Sequence, residues 1–122
     1  DFTPDLAASL ELLADAGVGR VLTSGGAPTA AEGAMVIADL VRRAGSRIVV
    51  IAGGGIREEN VRALTSASGV REVHVRLTTL RQSGESSARR GLRVRKALPD
   101  DEAAFEETDM QRVQSFVRTI AG

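Results

Sequence analysis

Cysteine is absent from the 122 residues. That excludes disulfides and removes the thiolates that soft metal ions prefer. Tryptophan and tyrosine are absent too, and three phenylalanines make up the whole aromatic content. The core must therefore come from Ala, Val, Leu and Ile, which carry nearly all of the 43% hydrophobic content. Neither sign of charge dominates, since 16 basic and 16 acidic side chains cancel. This balance gives no electrostatic basis for a nucleic-acid partner or an anionic membrane. No apolar run approaches the roughly 20 residues a membrane-spanning helix needs. The opening DFTPDLA has neither the basic start nor the apolar stretch of a signal peptide. A cytoplasmic protein acting on a small ligand or metal ion is the expectation. The chain also lacks an initiator Met and opens on what reads as a loop, which fits a processed product and a piece of a longer chain alike.

What is present alternates between helix and strand patterns. TPDLAASLELLADAG reads as a helix with Thr3 as N-cap, Pro4 in the first position and Gly17 as the left-handed stop. RVLTS (20–24) reads as a strand. A second helix follows from the capping-box pair Thr29 and Glu32, with Val36, Ile37, Leu40, Val41 and Ala44 on its apolar face and Gly45 at its end. RIVVIA (47–52) is the second strand, about 57–67 the third helix, and REVHV (71–75) the third strand. Residues 76–107 are polar and mixed in charge and read as one long loop. A terminal helix over 108–121 is marked by Thr108 and Gln111 at capping-box spacing. Short apolar strands separated by helices, each strand reading as buried on both faces, predict an α/β fold with a parallel sheet. The edges of so small a sheet would be exposed, so a homo-oligomer or a missing amino-terminal half is an expected partner.

In parallel βα folds, ligands bind at the carboxyl ends of the strands. Thr23, Ser24, Gly25 and Gly26 lie at and after the end of the first strand, and Gly53, Gly54 and Gly55 follow the second, ahead of the helix that contains Asn60. Glycines ahead of a helix amino terminus admit close approach of a phosphate or sulfate, and they also suit a tight turn. Spacing leaves both readings open. GGGIRE matches neither the dinucleotide fingerprint nor the P-loop. His74, the one histidine, is a packing residue, a proton carrier or a weak candidate metal ligand. Metal-ligand spacing is otherwise lacking, and the acidic run from Asp100 to Asp109 reads as a solvated loop and helix start.

GVGRVLTSGG, SRIVVIAGGGIREENV, REVHV and the tail SGESSARRGLRVR…ETDMQRV resemble the last strands of the copper homeostasis protein CutC family. The resemblance implies a (β/α)8 TIM barrel, with the three strands at positions six to eight and the whole chain as its carboxyl-terminal part. Thr23, Ser24, Gly25, Gly53, Gly55, Asn60 and His74 then match the family's residues at the barrel mouth. After His74 the chain departs from the family, with Val75, Arg76 and Leu77 where small residues are usual. The resemblance implies copper handling and metal tolerance, with no established enzymatic activity. The cysteines tied to that role belong to the amino-terminal half. The alternative is a TIM-barrel enzyme that binds a phosphorylated small molecule at the glycine loops after strands six and seven.

Overall fold

The computed structural model describes residues 1–82 and 104–121. The chain divides into two compact units, Asp1–Val75 with Phe116–Gly122, and Arg76–Ser115. In the first unit, β1 (Arg20–Thr23), β2 (Val49–Gly53) and β3 (Glu72–His74) form a parallel sheet in the order β1-β2-β3. Helices α1 (Leu6–Asp15), α2 (Ala34–Ala44) and α3 (Glu58–Ser68) alternate with the strands. Both crossovers step across the sheet in the same direction, so the right-handed rule for βαβ units puts α2 and α3 on one face. Ile37, Leu40 and Ala44 of α2 and Val61 and Leu64 of α3 are buried, as are Val50 and Ala52 of β2.

The expectation of strands buried on both faces is corrected. Register places Leu22 opposite Ile51, Arg20 opposite Val49, and Glu72 beside Ile51, all on the face away from Val50 and Ala52. There Leu22 and Val49 remain 51% and 39% exposed. Arg20 reaches across β2 to Glu72 in a two-pronged ion pair of 2.7 and 2.9 Å. The physical reason is the shared handedness of the crossovers, which supplies helices to one side only.

Helix starts moved where a better acceptor was available. Asp5, not Thr3, caps α1, its Oδ1 accepting from Ala8 N at 3.0 Å. A carboxylate is a stronger acceptor for a helix amino terminus than a hydroxyl. Thr29 does accept from Glu32 N at 3.3 Å, but the turn it caps precedes α2, which begins at Ala34 after Gly33. A bidentate pair from Arg47 to Glu11, 2.8 and 3.0 Å, ties α1 to the segment before β2. The Arg47 hydrogen bonds hold the Glu11 carboxyl below its ordinary pKa.

The second unit corrects the long-loop reading at both its ends. β4 (Thr78–Gln82) and β5 (Ala104–Thr108) pair antiparallel, from Thr78 opposite Thr108 to Gln82 opposite Ala104. Residues 83–103, with Asp100, Asp101 and Glu102 of the acidic run, lie outside the described residues. Polar strands of this kind carry no apolar alternation, so periodicity does not reveal them. Helix α4 (Met110–Ala121) follows, capped by Asp109, whose Oδ1 accepts from Gln111 N at 2.9 Å and Arg112 N at 3.2 Å. Thr108, the expected cap, is the last residue of β5. The final turns of α4 belong to the first unit, where Phe116 is buried. Arg62 Nε donates to Thr119 O at 3.0 Å and Thr119 Oγ1 donates to Glu58 Oε1 at 3.0 Å.

Ile37 is fully buried and Leu12 is 71% exposed. Ile37→Ala is expected to cost about 3 kcal/mol and Leu12→Ala under about 0.5 kcal/mol, as measured by urea unfolding followed by circular dichroism.

Candidate functional site at the carboxyl ends of the strands

The parallel sheet delivers three chain segments to one end: the β1–α2 loop, the β2–α3 loop and the residues after β3. The first of these folds around a carboxylate from the chain itself. Asp1 Oδ2 accepts from Ser24 N at 3.0 Å, and Oδ1 accepts from Gly26 N at 3.0 Å and from the Thr23 hydroxyl. Thr23 Oγ1 in turn accepts from Gly25 N at 2.9 Å. The Ser24 hydroxyl is 2.7 Å from Ala27 O and 3.2 Å from Asp1 Oδ2, and its single proton serves the nearer acceptor. Two amides and a hydroxyl thus converge on one anion. Gly25 and Gly26 have φ of 74° and 73°, a left-handed conformation that costs glycine little. Gly25 has a second reason, since a Cβ there would lie 2.5 Å from Gly33 O.

The three glycines that end and follow β2 serve three local demands. A Cβ on Gly53 would meet Leu22 Cδ1 at 2.7 Å, because the Leu22 side chain lies over it on the open sheet face. Gly54 and Gly55 have φ of 108° and 66°. Gly54 O accepts from Ala30 N at 2.9 Å, and a Cβ on Gly55 would lie 3.1 Å from Thr29 Cγ2. The two glycine-bearing loops are therefore packed against each other. Asn60 engages both ends of its amide with backbone, Nδ2 donating to Gly55 O at 2.9 Å and Oδ1 accepting from Arg57 N at 2.8 Å. Glu58 and Glu59 occupy the first turn of α3 and spend part of its positive end on the chain's own carboxylates.

His74 closes β3 next to Gly53 in register and is exposed. The structure thus brings Thr23 to Gly26 together with Asp1, and Gly53 to Gly55 together with Asn60, Thr29 and Ala30, with His74 beside Gly53. Asp1 was not among the expected site residues. It lies 22 positions before Thr23, and no local spacing connects the two. Among the described residues no group of three or more His, Cys, Asp or Glu is placed to hold a metal ion. Both methionines, Met35 and Met110, point to solvent at 78% and 67% exposure.

A parallel βα sheet with helices alternating along the chain defines an α/β protein. The CutC family model matches residues 1–79, and the chain belongs to that family. It is 33% identical over 120 residues to a family protein CutC of Treponema denticola, covering 98% of this chain and 49% of that protein. It is 35% identical over 116 residues to the human copper homeostasis protein cutC homolog, covering 95% of this chain and 42% of the human one. A CutC crystal structure from Streptococcus agalactiae superposes with a TM-score of 0.52 at 30% identity, over 56% of this chain and 33% of that one. The chain spans about half the length of the curated relatives it matches.

Asp1→Asn keeps the side-chain shape but replaces one of the two acceptor oxygens by an amide donor, so that either Ser24 N or Gly26 N loses its partner. It is expected to cost about 1 kcal/mol and to speed hydrogen exchange at one of those two amides more than at the other, as NMR would record. Gly25→Ala meets both a positive φ and the Gly33 carbonyl, and is expected to cost more than about 2 kcal/mol in the same unfolding assay.

Proposed function

We propose that this chain forms the carboxyl-terminal part of a CutC-type (β/α)8 barrel, its three parallel strands at positions six to eight, and that it serves copper homeostasis in the cytoplasm. The observation that carries the reading is the match to the family over the strand-and-mouth segment, joined to a sheet whose second face is open. Leu22 and Val49 on that face are what the inside of a barrel would bury. The remaining barrel strands, from an amino-terminal half or a second copy, are the fitting cover for the face and for the β1 and β3 edges.

Copper enters as cargo, and the donor chemistry of this chain does not suit it. Cu(I) is held by soft sulfur ligands, and here there is no cysteine, while both methionines lie on separate helices. His74 supplies at most one nitrogen. The chain therefore contributes scaffold and mouth to the family's copper role, and metal-binding groups come from elsewhere. In a competition titration against a Cu(I) chelator, the chain is expected to leave the metal with the chelator. Tight stoichiometric Cu(I) uptake would overturn this.

A second reading, a TIM-barrel enzyme acting on a phosphorylated small molecule, is supported by the Thr23–Gly26 loop, which already receives an oxyanion in the form of the Asp1 carboxylate. The ligand residues are Thr23, Ser24, Gly25 and Gly26, with Gly53, Gly54, Gly55, Asn60 and His74 forming the adjoining wall. Removing the internal carboxylate by Asp1→Ala is expected to make the Ser24 and Gly26 amides respond saturably to inorganic phosphate in NMR titration. No response in that variant would discard the second reading and leave the first intact.

A further inference from the structure

The opposite end of the sheet carries a feature that the mouth does not use. Between the carboxyl ends of α2 and α3 and the amino ends of β2 and β3 lies a half-open cavity of about 450 Å³. That volume falls in the range of small-molecule sites. Its walls include Val41, Ala44, Ile48, Val50 and Val70, of which the last four are buried and leave no polar side chain among them. Arg71 lines the rim and is the cavity's ionisable side chain.

The charge at that rim is positive. Arg71 has no hydrogen bond or ion pair within the chain among the described residues, whereas its neighbour Glu72 is engaged by both prongs of Arg20. The helix carboxyl ends that converge here would favour a cation, but several of their terminal carbonyls, three on α2 and one on α3, already accept a hydrogen bond. Gly45 N donates to Val41 O, Arg47 N to Ala44 O, the Arg47 guanidinium to Arg43 O, and Gly69 N to Thr65 O. A guanidinium carries a full unit charge, against about half a charge at a helix carboxyl end. A guanidinium pairs best with a carboxylate, and the buried part of the wall, Ala44, Ile48, Val50 and Val70, suits hydrocarbon, with Ser46 as the one hydroxyl side chain in the lining.

We infer that this cavity binds a short-chain aliphatic carboxylate, with the alkyl tail among Val41, Val50 and Val70 and the carboxylate on Arg71. The site lies wholly within residues 41–71 and does not depend on what the mouth binds.

Titration of the intact chain with butanoate, hexanoate and 1-hexanol, followed by amide chemical shifts, tests the inference. Hexanoate is expected to shift Val50, Gly69 and Val70 saturably. It should bind more than about tenfold more tightly than butanoate, the ratio that two buried methylenes at about 0.8 kcal/mol each imply. Arg71→Gln, on an exposed side chain, is expected to weaken hexanoate about fivefold and leave hexanol unchanged. Val41→Phe is expected to fill the cavity and abolish both. The inference is overturned by an absence of saturable shifts at 20-fold excess ligand over about millimolar protein. It is equally overturned if Arg71→Gln weakens acid and alcohol alike, or if the shifts fall on Leu22 and Ile51 of the open sheet face instead.

Discussion

The handedness of the two βαβ crossovers is the constraint on which this molecule depends. A right-handed return from each strand places α2 and α3 on one side of the sheet, and everything else follows from that asymmetry. Val50 and Ala52 are buried against helices, while Leu22 and Val49 on the reverse face stay open. The same parallel arrangement carries every strand's carboxyl end to one rim. Glycine-bearing loops from β1 and β2 therefore become neighbours, though they are separated by a helix in sequence.

At that rim, backbone does most of the shaping. The Ala30 to Gly54 hydrogen bond and the contact of Gly55 with Thr29 lock the two loops together. Amides of Ser24 and Gly26 face an anion because Gly25 and Gly26 accept left-handed backbone. Asp1 supplies that anion from within the chain. Fixed donors of this kind require no reorganisation when a carboxylate or phosphate arrives, which is why such nests recur as anion sites. The Gly53–Gly55 turn, by contrast, is accounted for largely by Leu22, Thr29 and Ala30, and its helix already bears Glu58 and Glu59.

Family membership and local chemistry are separate matters here. A fold can be shared by residues that never touch a metal, since ligands are grafted onto a scaffold at a few positions. This chain carries strands, crossover helices and mouth loops of the CutC kind. It carries no thiolate and no clustered donors among the described residues.

By itself the sequence determined the alternation of helices and strands, the parallel sheet, the aliphatic core and the exclusion of disulfides. The three strands, read at 20–24, 47–52 and 71–75 and found at Arg20–Thr23, Val49–Gly53 and Glu72–His74, were legible because short apolar runs between helical patterns leave few alternatives. The family signature was legible for the same reason, since it sits in those strands and their glycine loops. Tertiary structure alone decided the rest. It chose which strand face is covered, because alternation cannot tell a helix-packed face from an open one. It chose Asp5 and Asp109 over Thr3 and Thr108 as caps, because the stronger acceptor wins only once backbone geometry is set. It paired β4 with β5, whose polar sequences lack a period to read. And it brought Asp1 to Ser24 and Gly26, a contact between distant positions that no local pattern encodes and that only the folded path of the chain creates.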